Sequence, residues 1–161
     1  MTIKDIETLI HTDETRNLEL KKTTGELKDG MKSACAFLNT DGGWLIFGIA
    51  PTTLKMVGQD VTENTRREIA QALTHLEPAL DVEVNYVDLP DSNGKQVIVM
   101  HFDKWVWGKD PYTYHKCPYY RIESVTKEYR RLSSTAFAHG LFQRERQKRV
   151  FGQQARNGQL F

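Results

Sequence analysis

The chain has 161 residues, 39% of them hydrophobic and 27% charged, with a formal charge of +1; these values fit one soluble globular domain and exclude a disordered or low-complexity chain. No apolar run approaches the roughly 18 residues of a membrane span, and Met1–Glu7 has no signal-peptide core, so a cytoplasmic protein is expected. Cys35 and Cys117 are the only cysteines; they are too few and too far apart for a zinc site and read as free thiols of a reducing compartment.

Ile3, Ile6, Leu9 and Ile10 recur at helical spacing after Thr2, a candidate N-cap. Leu18-Glu19-Leu20-Lys21 alternates apolar and charged residues. It predicts a strand with Glu19 and Lys21 on one face and Glu14 in the turn before it. Leu27, Met31, Ala34, Cys35 and Leu38 trace one face of a helix that Gly30 weakens. Asn39-Thr40-Asp41-Gly42-Gly43 then turns the chain into Trp44–Ile49, an apolar run suited to a central strand buried on both sides. Asp60 is expected to cap a helix carrying Ile69, Leu73 and Leu76 inward, ended by Glu77-Pro78. Val82–Tyr86 and Val97–Phe102 flank Asp91-Ser92-Asn93-Gly94 and read as an antiparallel hairpin. Tyr119–Ile122 is a further strand, Ser124 and Thr126 a turn, and a last helix is expected from Ser134.

Charge is unevenly spread. Residues 1–115 hold 12 Lys/Arg against 18 Asp/Glu, whereas residues 116–161 hold 10 against 3. A basic end of this kind suits either an anionic partner or a solvated helix. Between the hairpin and Tyr119, residues 104–117 interleave Trp105, Trp107, Tyr112 and Tyr114 with Lys104, Lys109, His115 and Lys116. Such a loop serves equally well as a base-stacking platform or as aromatic core packing. The turn 39–43 is either an αβ corner or an anion-binding concavity, the latter opposed by the charge of Asp41. Neither G-x4-G-K-[ST] nor G-x-S-x-G occurs, and neither cysteine has a local His context, so Walker-type and triad chemistry lack a motif.

Taken together, Glu14-x4-Glu19-x-Lys21, the segment Ala36-Phe37-x-Asn39-Thr40-x-Gly42-Gly43-x-Leu45-x-x-Gly48-Ile49, Val57-Gly58 and Tyr119-Tyr120-Arg121-x-x-Ser124-x-Thr126 resemble the Schlafen-type AlbA-like domain, widespread in prokaryotes, from about Glu14 to Leu132. The resemblance implies a DNA-binding domain, with Arg121 and the hydroxyls near the Asn-Thr-x-Gly-Gly turn shaping a polar site. In animal Schlafen proteins a related core cleaves RNA, which implies metal-holding roles for Glu14 and Glu19. The third acid of that pattern is missing: Ala50-Pro51 stands in its place, and Asp41, ahead of Asp60, is the nearest substitute. An efficient nuclease is therefore not expected.

The reading is one α/β (α+β) domain, a mixed and mostly antiparallel sheet of five or six strands flanked by helices, over residues 1–132, with a basic helix and tail at 133–161. Its expected partner is DNA or RNA, with a place in a transcriptional regulator expected, and its expected contacts are Lys21, Lys22, Arg121, Lys127, Arg130, Arg131, Trp105 and Trp107, beside the polar turn Asn39, Thr40, Gly42 and Gly43. No cofactor or metal is expected outside the nuclease alternative. A protein-interaction or dimerisation module is the third reading, and both a homodimer and further domains beyond residue 161 are compatible with the pattern.

Overall fold

One helix, α2 (Leu27–Leu38), lies between two four-stranded sheets, and the rest of the fold is laid around it. The computed structural model describes residues 1–12, 15–106 and 108–128. The first sheet has the order β1 (Leu18–Lys21), β2 (Gly43–Phe47), β5 (Gln96–Phe102), β4 (Val84–Asp88). β1 and β2 are parallel, joined through α2, and the other pairs are antiparallel. The second sheet, all antiparallel, runs β3 (Leu76–Glu77), β6 (Thr113–Tyr114), β7 (Cys117–Ile122), β8 (Val125–Glu128). The α+β class is as read from the sequence. The expected single sheet of five or six strands is instead two sheets of four, because the segment after Phe102 crosses to the far side of α2.

Strand alternation divides the core. Ile46, Val97, Val99 and Leu18 face α1 (Ile3–Thr12), with Ile6 and Ile10 against them. Leu45, Phe47, Ile98, Met100 and Phe102 face α2. The other side of α2 meets Tyr114 and Tyr119 of the second sheet. A helix held between two sheets must be apolar around its circumference rather than along one stripe, and Met31 to Leu38 is buried apart from Lys32. Each large side chain so buried contributes roughly 1.5–3 kcal/mol. Gly30 now has a physical reason: a Cβ there would lie 2.9 Å from the Phe47 ring and 3.1 Å from a Leu45 methyl, so its absence lets α2 approach the first sheet.

The caps differ in detail from expectation. Thr2 caps α1, its Oγ1 accepting from Asp5 N at 3.3 Å while Asp5 Oδ2 accepts from Thr2 N at 2.7 Å. α3 (Glu63–Thr74) is capped by Thr62 in a reciprocal box with Thr65, not by Asp60, and its expected last residue Leu76 belongs to β3. Thr126 is a strand residue of β8, paired with Arg121. Val82 precedes β4 rather than opening it. The helix expected from Ser134 lies outside the described residues.

Candidate nucleic-acid interface

β1 is an edge strand of the first sheet and β8 an edge strand of the second. The N-terminal half of α2 separates them, and an open cleft of about 380 Å³ lies there. Because Leu18 and Leu20 turn toward α1, Glu19 and Lys21 turn into this cleft, as the alternation predicts. The two are paired at 3.1 Å, with Lys21 also 4.0 Å from Glu26. Opposite stand Tyr119, Thr126 and Glu128 of the hairpin, and from α2 come Asp29, Lys32 and Ser33. Burial and the nearby Glu128 carboxylate push the Tyr119 phenol up to about 12, so it stays protonated and offers hydrogen bonds rather than acid–base chemistry. The lining is thus charge-mixed: Glu19, Asp29 and Glu128 against Lys21 and Lys32.

Arg121 lies beneath the cleft, 2% exposed. Its guanidinium meets Glu19 Oε2 at 3.0 Å, donates to Thr126 Oγ1 at 3.0 Å, and donates to the carbonyls of Arg16 at 2.8 Å and Leu18 at 3.3 Å. Ser33 and Thr126 hydroxyls share a further bond at 3.0 Å. Arg121, read from the sequence as a nucleic-acid-binding residue that shapes a polar site, is an internal strut that joins β7–β8 to β1. Burial of a planar, five-donor cation is tolerated because fixed oxygens surround it.

The turn 39–43 is also structural. Asn39, 5% exposed, donates through Nδ2 to the carbonyls of Tyr112 and Tyr119, both at 2.8 Å, and accepts from Tyr112 N at 2.6 Å. Thr40 Oγ1 donates to Ala36 O at 2.7 Å. The N–H groups of Asn39, Thr40 and Gly42 return to carbonyls of α2, so they do not form an anion cradle. Gly42 has φ +76°, and a Cβ would lie 2.7 Å from Phe102 O; at Gly43 a Cβ would lie 2.7 Å from Asn17 O. Asp41 pairs with Arg16.

Trp105 is 4% exposed and Tyr114 is equally buried. For these two the core-packing alternative holds, and the expected stacking surface at Trp105 is corrected. Lys22 and Lys127 are exposed. Glu14, Trp107, Arg130 and Arg131 lie outside the described residues. Among the described residues no three His, Cys, Asp or Glu side chains converge as a metal site, and no helix is long and apolar enough to cross a membrane. Pro51 is exposed in the turn after β2. The sequence reading does not single out Asp29, Lys32, Ser33 or Glu128. The first three recur at spacings of three and four, a polar stripe readable on a helical wheel; nothing local marks Glu128.

Comparison with known proteins adds three findings. The model of the Schlafen, AlbA_2 family matches residues 14–130. The solution NMR structure of the N-terminal domain of a protein related to the ATP-dependent DNA helicase RecG, from Nitrosomonas europaea, is similar with a TM-score of 0.52 and 22% identity, over 71% of this chain and 80% of that one. A crystal structure of a protein from Corynebacterium diphtheriae gives a TM-score of 0.49 at 18% identity, over 78% of this chain and 29% of that one. No curated protein matches.

Proposed function

This chain belongs to the Schlafen, AlbA_2 family, and from that premise we propose that it is a nucleic-acid-binding domain whose ligand lies along the cleft between β1, α2 and the β7–β8 hairpin. The observation that carries the reading is the pair of lysines in the cleft lining, Lys21 from β1 and Lys32 from α2, with the exposed Lys22 and Lys28 next to those elements. Lys127 is exposed on β8 between the cleft residues Thr126 and Glu128 and so turns to the other face of that strand. Lysines supply the phosphate term of affinity and its salt dependence; the interspersed carboxylates keep both modest. The fold neighbour's kinship to a DNA helicase agrees with this class. On this reading residues 1–132 are the binding domain, and the basic segment 133–161, with Arg130 and Arg131 ahead of it, adds phosphate contacts, in a protein of regulatory type.

A metal-dependent nuclease is the second reading, and one geometric fact disfavours it. Glu19 Oε1 faces Lys21 and Oε2 faces Arg121. A carboxylate held between two cations is a poor ligand for a divalent ion, which needs several oxygens of its own.

Fluorescence anisotropy with labelled single- and double-stranded DNA and RNA across a salt series tests the proposal. Lys21→Glu and Lys32→Glu should each weaken binding and flatten the log–log salt slope by about one contact. No binding to any of these at low salt would refute it. Mg²⁺- or Mn²⁺-dependent RNA cleavage abolished by Glu19→Ala would replace it with the nuclease.

A further inference from the structure

The first sheet ends on two edge strands, β1 and β4. At β1 the Leu18 carbonyl already accepts from Arg121. The outer edge of β4 has no such engagement. Leu89 N donates to Lys95 O at 2.9 Å, and in the antiparallel register this makes Val87 and Asn85 the residues bonded to β5. The N–H and C=O groups of Val84, Tyr86 and Asp88 therefore point away from the sheet, and none of the described residues bonds to them. With five residues, β4 is also the longest edge strand of the two sheets. It holds no lysine and no proline, and its unbroken register leaves no bulge, so it lacks the usual guards against pairing with another chain. Glu83 and Asp88 at its ends repel phosphate, which makes this edge unsuited to nucleic acid.

We propose that β4 is a dimerisation edge, which pairs antiparallel with β4 of a second copy of this chain about a two-fold axis at Tyr86. In that register the two Tyr86 residues face each other and Val84 faces the second copy's Asp88, each pair exchanging both main-chain bonds. A shift along the strand leaves end groups unpaired or brings in Pro90, which has no N–H to give. The side chains select a second copy as the occupant. Opposed residues share a face, so the second copy's Asp88 lies diagonally from Tyr86, within reach of a long side chain. On that face the Arg66 guanidinium sits over the Tyr86 ring, 3.9 Å from its centre. Arg66 is exposed, and among the described residues no carboxylate pairs with it. The two-fold axis makes this contact of opposite charges twice, which an unrelated extended peptide would not do. A strand pair of this length is smaller than a standard interface of about 1,600 Å², so the dimer dissociates on dilution. β1 is the far edge of the same sheet, so both clefts stay open and the pairing stands apart from the nucleic-acid reading.

Sedimentation equilibrium of the full chain across a concentration series tests this. The average mass should rise from that of one chain toward that of two. Asp88→Pro removes an outward N–H and leaves the bonds to β5 in place, an arrangement edge strands tolerate. It should weaken association about tenfold or more, since the axis repeats each lost bond, at an unchanged melting temperature. Arg66→Glu and Asp88→Arg should each weaken self-association several-fold. An equimolar mixture of these two variants should dimerise again, because the mixed pair restores opposite charges at both contacts; an effect confined to one chain would not be rescued by mixing. If Asp88→Pro lowers the melting temperature, the mixing experiment, made at two exposed positions, decides alone. A single-chain mass at every concentration would overturn the proposal. A dimer that all three variants leave unchanged would put the contact on another surface and overturn it equally, as would the absence of recovery on mixing.

Discussion

Arg121→Met removes the most heavily engaged buried cation described in this fold. The methionine fills part of the space but offers no donor. Glu19 Oε2 loses its partner at 3.0 Å, and Thr126 Oγ1 and the Arg16 and Leu18 carbonyls each lose a donor. Removing one member of a buried ion pair costs about 3–5 kcal/mol, most of it the cost of the stranded charge. Glu19 is about one-fifth exposed and retains Lys21 at 3.1 Å, so the lower end applies, about 3 kcal/mol. The double variant Arg121→Met/Glu19→Leu strands no carboxylate and should recover at least 1 kcal/mol of that loss, within the usual range of coupling between contacting residues. Urea unfolding followed by far-UV circular dichroism measures both, provided the slopes stay equal. A single variant within about 0.5 kcal/mol of the parent, the ordinary range for an exposed substitution, would refute the strut and return Arg121 to the list of ligand contacts.

Other outcomes follow from the same geometry. Asn39→Ala should cost about 1–3 kcal/mol, since it leaves the Tyr112 N–H without its acceptor and takes a donor from the Tyr119 and Tyr112 carbonyls, of which Tyr112 O keeps the Cys35 thiol at 3.4 Å; a melting temperature unchanged within error would contradict this. Gly42→Ala should destabilise by at least about 1–2 kcal/mol from the left-handed backbone alone, with the contact to Phe102 O added; chemical denaturation reads it. Burial pushes the Cys35 thiol from 9.0 up to about 12. Its folded pKa lies above the unfolded one, so its contribution is fully present below about pH 9 and is lost as pH rises toward 12. Urea midpoints between pH 7 and 11 should therefore fall on the alkaline side, and Cys35→Ala should shallow that fall; an identical pH profile for the variant would refute the assignment.

The legible parts of the fold were those with short-range periodicity. Leu18–Lys21 announced a strand and the correct face for Glu19, because a period of two leaves no other arrangement. Met31–Leu38 announced a helix, but its pattern showed only one of its two buried sides. Ala34, Ala36 and Ser33 are small and weakly hydrophobic or polar, so their burial depends on a sheet supplied some eighty residues later. The strut role of Arg121 is hidden for the same reason: Tyr-Tyr-Arg shows nothing of the Glu19, Thr126 and two carbonyls that the chain brings around it. Trp105 was ambiguous by nature, since burial and stacking use the same side chain. The stripe Asp29, Lys32, Ser33 shows on a helical wheel, but polar residues at that spacing look the same on a cleft wall and on a solvated helix face.

The placement of α2 between two sheets has a consequence for synthesis. Once residue 102 has left the ribosome, α1, the first sheet and one side of α2 can close, with its parallel β1–β2 pair already linked through the helix. The side carrying Cys35 and Asn39 has no cover until Tyr112–Glu128 is made. The nascent chain must carry that half-covered helix while the last strands are translated, at about 5–20 residues per second. The interval is on the order of seconds, far longer than the microseconds in which a hairpin such as β7–β8 forms. The limiting event in assembly is therefore delivery of the second sheet, and the uncovered side of α2 is the surface a nascent-chain chaperone would meet.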